Sequence, residues 1–203
     1  MLTAGFPRWC PMTRSQAADV LAALHNRNSH PRLVTPAPTD SDLEAILTAG
    51  LRAPDHGRLR PWQFLIIEGE ARKRLGQIFE HALLLTNPEA GEAERTKALR
   101  APLRAPLIIA GLLKPTAHPK IPRQEQVAAV ACALHGMLLA AEALGFAGMW
   151  RTGGYARDPW VLRELDAAPE DEVIGFLYLG TAEGSAKPID RPALGDYVRR
   201  FNP

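Results

Sequence analysis

The stretch VAAVACALHGMLLAA at residues 127–141 decides the architecture. Only His135 and Gly136 break it, and it is shorter than the roughly 20 apolar residues a membrane-spanning helix needs. In a water-soluble chain, a helix apolar on nearly every side must be covered on every side. The stretch therefore predicts a long helix from about Arg123 to Leu144, either central in the core or packed against a second subunit. It runs straight into Phe146-Ala-Gly-Met-Trp150, which reads as a short strand.

Working outward, the same two periods alternate along the chain. Thr13-Arg-Ser-Gln16 has the spacing of a capping box, and Ala17, Val20, Leu21 and Leu24 follow at helical spacing until the polar run His25 to Ser29. Ser41-Asp-Leu-Glu44 repeats the signal ahead of Leu43, Ile46, Leu47 and Leu51, and Pro54 ends that helix. Trp62 to Ile67 is short, aromatic and β-branched, hence a strand; Leu75, Ile78, Phe79, Ala82 and Leu83 give another helical stripe. The polar segment from Asn87 to Arg100 is either helix or excursion. Leu107 to Leu113 and Val173 to Leu179 are further strands, with a short helix before the last. The order predicts an α+β or α/β fold with a buried sheet.

Composition narrows the function classes. Twenty-four Lys+Arg against 22 Asp+Glu leave a formal charge of +2, too small to be an electrostatic footprint for nucleic acid or an anionic membrane surface. Cys10 and Cys132 are too far apart for a disulfide framework or a CxxC motif, which points to the cytoplasm. Residues 1–12 lack an apolar signal-peptide core and read as a disordered arm, with Met12 a candidate start. No composition shift marks a linker, so 13–203 is expected to be a single domain whose tail beyond Gly180 wraps a surface or a partner.

No glycine-rich phosphate fingerprint and no HExxH occur, and the histidines make a poor chelate, so neither a Rossmann or P-loop cradle nor a metal site is expected. Cys132 and His135 share a helix face as a thiol and base could, but a small cysteine in such an apolar stretch reads as core. Three clusters differ in kind. Arg27-Asn-Ser-His-Pro-Arg32 gathers guanidiniums, a hydroxyl and an imidazole at a helix end, a donor set suited to phosphate or a polarised carbonyl. Arg52-Ala-Pro-Asp-His56 follows the second helix, braced by Pro54 and Pro61. Trp150-Arg-Thr-Gly-Gly154 follows a strand end, where glycines let backbone N–H groups approach a ligand.

Taken in order, Arg-x-Ser after a helix, Arg-Ala-Pro-Asp-His with Pro61-Trp-Gln-Phe64 beyond it, Gly145-Phe-Ala-Gly-Met-Trp-Arg151 and Gly175-Phe-Leu-Tyr-Leu-Gly-Thr181 resemble the FMN-dependent nitroreductase family, in its branch of small NAD(P)H nitroreductases. The resemblance spans roughly residues 17–182. It implies an α+β fold with a central mixed sheet flanked by helices, in an intertwined homodimer with one FMN in each of two sites built from both chains. Arg27, Asn28 and Ser29 would hold FMN from one protomer, and Arg52 and His56 from the other. Trp150, Arg151 and Thr152 would line the flavin from the strand end. The segment Ala140, Ala141, Glu142, Ala143, Leu144 and Gly145 would meet NAD(P)H.

The implied activity is hydride transfer from NAD(P)H through FMN to a nitroaromatic, quinone or similar small electrophile, in ping-pong order, with the flavin carrying the chemistry. His56 is a candidate proton donor, and Arg27 and Arg151 are candidate cations for reduced flavin. A flavin-binding store or sensor without turnover is the alternative, sharing the same loops. Two departures stand out. Pro31 occupies the last position of the family's Arg-Arg-Ser-x-Arg and puts Arg32 one place late, and Arg58 and Arg60 replace Asn and Gln before Pro-Trp.

Overall fold

A computed structural model describes residues 11–184 and 188–201. The arm expected at 1–12, Pro11 and Met12 apart, and Cys10 lie outside the described residues. In chain order the elements are α1 (Arg14–Asn26), β1 (Leu33–Val34), α2 (Asp40–Gly50), β2 (Trp62–Glu68), α3 (Glu70–Thr86), α4 (Glu92–Arg100), β3 (Leu107–Leu113), α5 (Arg123–Ala143), β4 (Ala147–Arg151), α6 (Pro159–Glu164) and β5 (Glu172–Ala182), with short 3-10 turns between them. The polar segment after Asn87 resolves into a turn and α4, while the two-residue β1 was too short to carry a periodic signal.

Every residue of β3 is buried, as an apolar run becomes when both faces of its sheet are covered. β3 lies between β2 and β5; β4 pairs with β5 at Phe176 to Gly180, and β1 pairs with Thr181 and Ala182. All of these pairings are antiparallel, which corrects the expected mixed sheet. The reason lies in the connections. The packed pair α3 and α4 returns the chain so that β3 runs against β2. β3 and β4, joined by the single helix α5, do run the same way, but β5 inserts between them.

Strand alternation divides the apolar residues between two layers of helix. Leu107, Ile109, Leu177 and Leu179 meet Ile46 of α2 and Leu134, Met137, Leu138 and Ala141 of α5. On the other face Ile108, Ala110, Leu112, Phe176 and Tyr178 meet Leu75, Ile78, Phe79 and Ala82 of α3, Ala98 of α4 and Val161 of α6. A Cβ on Gly50 would fall 2.3 Å from Met137 Cε, so glycine there lets α2 close on α5. The capping motif expected at Ser41 is not used: α2 begins two residues earlier, at Asp40, with Thr39 as an N-cap that makes no side-chain bond.

Two helices depart from what their sequences lead one to expect. α1 forms with the predicted capping box, Thr13 Oγ1 accepting from Gln16 N at 3.3 Å and Gln16 Oε1 accepting from Thr13 N at 2.9 Å, a contribution of about 1 kcal/mol. Yet none of its residues is buried, and Val20, Leu21 and Leu24 remain 45%, 51% and 43% exposed. α5 buries Gln126, Ala129, Val130, Ala133, Leu134, Met137, Leu138 and Ala141, at helical spacing, against the sheet and α2. Its opposite face carries exposed Ala128, Cys132 and His135, so within one chain the helix is covered on one side only. This corrects the expectation that Cys132 is core. The helix is long and apolar enough to cross a membrane, but its packing is that of a sheet-covering helix.

Candidate functional site

The structure gathers two of the three polar clusters at the C-terminal end of α5. The loop after α1 turns back on itself: Arg27 Nη1 donates to Ser29 Oγ at 3.2 Å, and Ser29 N to Asn28 Oδ1 at 2.9 Å. It is then tied to β4, with His30 N donating to Gly148 O at 3.1 Å and Arg151 Nη2 donating to Pro31 O at 3.1 Å. Pro31 therefore has a role in the register: its carbonyl takes the Arg151 guanidinium, while Arg32 is directed into a separate cleft with Lys97, Arg100 and Arg104.

Alternation along β4 separates the side chains that the resemblance placed on one surface. Trp150 packs on the α5 face, its indole lying over Gly175, where a Cβ would fall 2.0 Å from Nε1. Arg151 lies on the α3 face, 5.2 Å from the Tyr178 ring centroid. It lines a cleft of about 360 Å³ with Thr152, Arg104, Lys97, Tyr155 and Tyr178. Burial and the neighbouring Arg104 guanidinium both lower the Arg151 pKa. Burial pushes the Tyr178 hydroxyl up to about 12, so it stays protonated as a donor. Lys97, Arg100 and Arg104 escape a reading by motif. The signal was the doubled Arg-Ala-Pro-Leu at 100–107, whose shortness hides that it carries two of these cations.

The segment Ala140 to Gly145 is mostly helix end. Ala141 is fully buried in the core and has no surface to offer a dinucleotide, which corrects that part of the expectation, while Leu144 is 44% exposed. Its one charged group is Glu142, which accepts from the Asn28 backbone N–H and lies close to Arg27. Burial raises its pKa, against the lowering by Arg27 and by the Asn28 N–H. Glu142, Asn26, Asn28, His30 and Phe146 line a cavity of about 410 Å³ that the tail reaches with Ile189.

Arg52 and His56 are elsewhere. Arg52 lines a shallow cleft with Cys132 and His135 on the uncovered face of α5, and His56 Nδ1 sits 2.6 Å from Glu125 Oε2 at the start of that helix. Glu125 and Glu142 mark the two ends, roughly 25 Å apart at 1.5 Å of rise per residue. One chain therefore brings Arg27, Asn28, Ser29 and the 150–152 segment together and leaves His56 at the far end of a rigid helix. Glu125, distant from His56 in sequence, gives no signal before folding.

Near the end of α5 and β4 three side-chain polar atoms are buried without a hydrogen-bond partner, Glu142 Oε1, Trp150 Nε1 and Arg151 Nε, as are Arg72 Nε and Trp160 Nε1 elsewhere. Unsatisfied buried groups are costly, and Glu142 Oε1 and Arg151 Nε, whose side chains meet the Arg27 to Pro31 loop, fit a site that a polar ligand completes. The donor set, with guanidiniums, a hydroxyl and backbone N–H groups beside an indole, suits a phosphate-bearing aromatic cofactor.

Comparison with known proteins agrees with this architecture. The profile of the nitroreductase family matches residues 24–181. The chain is 42% identical over 184 residues to the Escherichia coli K12 protein named "Putative NAD(P)H nitroreductase YdjA", covering 90% of this chain and 100% of that one. Among solved structures, a nitroreductase-like protein from Bacillus cereus superposes with a TM-score of 0.76 at 20% identity, over 96% of this chain and 99% of that chain. A nitroreductase with bound FMN from Bacteroides fragilis gives 0.67 at 22% identity, over 90% and 98%. At those identities the two structures show the fold.

Proposed function

Because the chain belongs to the nitroreductase family, we propose that it is an FMN-dependent oxidoreductase of the cytoplasm, working as a homodimer and passing hydride from NAD(P)H to a small electrophile such as a nitroaromatic or quinone. The observation that carries this reading is the tie between the Arg27 to Pro31 loop and the end of β4, with the unpartnered Glu142 Oε1 and Arg151 Nε beside it. Bound there, FMN would supply the chemistry of hydride acceptance and electron donation.

The chain's own residues supply binding and charge. Arg27 would take the phosphate, since its fork matches two oxygens at once, and Ser29 and Asn28 would stand beside it. Trp150, seated over Gly175 on the α5 face, would hold the end of β4 in place beside the loop. Arg151, with Arg104 behind it, would place positive charge where the reduced cofactor carries negative charge. A nicotinamide donor and an acceptor of similar shape would use one open face in turn, which is a ping-pong order.

Arg52 and His56 would reach the site from the second chain. That arrangement is supported by their distance from Arg27 within one chain, by α1 with no buried residue, and by the uncovered face of α5. Apolar surfaces of this kind belong to an obligate interface rather than a transient one.

The test is direct. The purified protein should be yellow and should bleach anaerobically when NADH or NADPH is added, then regain colour with a nitroaromatic or quinone. Colourless protein that takes up no added FMN would refute the reading, and stable yellow that no nicotinamide bleaches would leave a flavin binder instead of an enzyme.

A further inference from the structure

His56 Nδ1 lies 2.6 Å from Glu125 Oε2, yet stability does not account for this contact. Both side chains are more than two-fifths exposed, at 59% and 47%, and exposed ion pairs contribute little. The loop that carries His56 is nevertheless built at a cost. Gly57, Arg58 and Arg60 all have positive φ, at 69°, 55° and 50°, a region that arginine seldom adopts. The loop is pinned by Arg60 N donating to Asp55 Oδ2 at 2.7 Å and by Ile121 packed beside Gly57. On the facing element, Glu125 occupies the first turn of α5, where the helix fixes its backbone through Glu125 N donating to Pro122 O at 3.1 Å.

From these contacts the geometry points to Glu125 as a positioning residue for His56, fixing the imidazole as the Nδ1–H tautomer so that Nε2 is the only free ring nitrogen. The role of His56 in the flavin site rests on the proposed function; its tautomer does not. An ionised carboxylate 2.6 Å from Nδ1 accepts that nitrogen's proton in a hydrogen bond, and a neutral imidazole has only one N–H to give. Neutral His56 therefore presents a lone pair at Nε2. It accepts a hydrogen bond from whatever binds there, and donates one from Nε2 only as the imidazolium. This sharpens the reading of His56 as a proton donor: the ring delivers a proton from Nε2 and returns to the same tautomer, with Glu125 holding Nδ1–H throughout.

The experiment is long-range 1H–15N correlation on the 15N-labelled protein as purified, at a pH where the ring is neutral, with His56→Asn to assign the signal. In the wild type and in Glu125→Gln, whose amide oxygen still accepts Nδ1–H, the ring should be the Nδ1–H form. In Glu125→Ala it should move toward the Nε2–H form. Acceptor kcat/KM should fall roughly three- to tenfold in Glu125→Ala, the effect of one hydrogen bond, and recover in Glu125→Gln. An Nε2–H ring in the wild type would overturn the proposal, as would identical tautomers in the Gln and Ala variants or an Ala variant with unchanged kinetics. Flavin content, read from the visible spectrum of the same samples, separates this from failure of the functional reading, which would appear as protein without FMN whose His56 tautomer is still the one expected.

Discussion

Trp150 and Gly175 occupy one space: a Cβ on Gly175 would meet the indole Nε1 at 2.0 Å and Cδ1 at 2.7 Å. The glycine on β5 is thus the seat of the tryptophan on β4, and through it the core of the sheet fixes the strand end that carries Arg151. Gly175→Ala should push the indole off that seat. The expected cost is about 1–3 kcal/mol for overpacking, or roughly 3–9 °C in Tm for a chain of this size, together with weaker FMN binding. Calorimetry and flavin titration on the same variant check both parts, and an unchanged Tm would show that the indole moves freely.

Arg27 and Arg32 diverge on either side of Pro31, one toward Ser29 and the other into the cleft with Arg100 and Arg104. Arg27→Ala should weaken FMN binding by about one to two decades, the equivalent of losing a charged hydrogen bond of roughly 1.5–3 kcal/mol. Arg32→Ala should do much less. Fluorescence titration of the two apoproteins decides between them, and the reverse ranking would make Arg32 the phosphate ligand.

Glu142 has a pKa raised above its ordinary value of 4.5 by burial. Its favourable contribution is therefore present below that value and is lost as pH rises through the folded-state pKa, so that near neutrality the ionised group is a burden. Glu142→Gln should be more stable than the wild type at pH 7, and the advantage should vanish near pH 4. Melting curves at the two pH values measure it; a larger advantage at low pH would contradict the assignment.

A helix with no buried residue implies a missing surface. Sedimentation should find dimers at micromolar concentration, and dilution below the dimer dissociation constant should release flavin. Flavin retained on a well-folded monomer would refute a site made from two chains.

How far the sequence could be read depended on where each signal resides. β3 and the buried half of α5 were legible because their burial is decided locally, by runs of apolar side chains with a clear period. The capping box of α1 was legible for the same reason, but the fate of Val20, Leu21 and Leu24 was not, since a stripe specifies that a surface is needed and not which chain provides it. Strand directions failed because they depend on β5 inserting between β3 and β4, a long-range choice. At the site, Arg27, Asn28, Ser29 and Arg151 were found together by motif, whereas the division of Trp150 and Arg151 between two faces follows from pleat alternation once β4 pairs with β5. Glu125 and Arg104 meet their partners only through tertiary packing.

The length of α5 has a genetic consequence. Each chain carries Arg27 at one end of this rod and His56 at the other, so in a dimer with shared sites each chain gives one half to each of two different flavins. A mixed dimer of an Arg27→Ala chain and a His56→Ala chain would then gather both lesions in one site and leave the other wholly wild-type. Two impaired proteins, mixed and allowed to exchange subunits, should regain one wild-type site, up to half the wild-type activity, per mixed dimer. Two lesions within one cluster, Arg27→Ala with Ser29→Ala, should never complement.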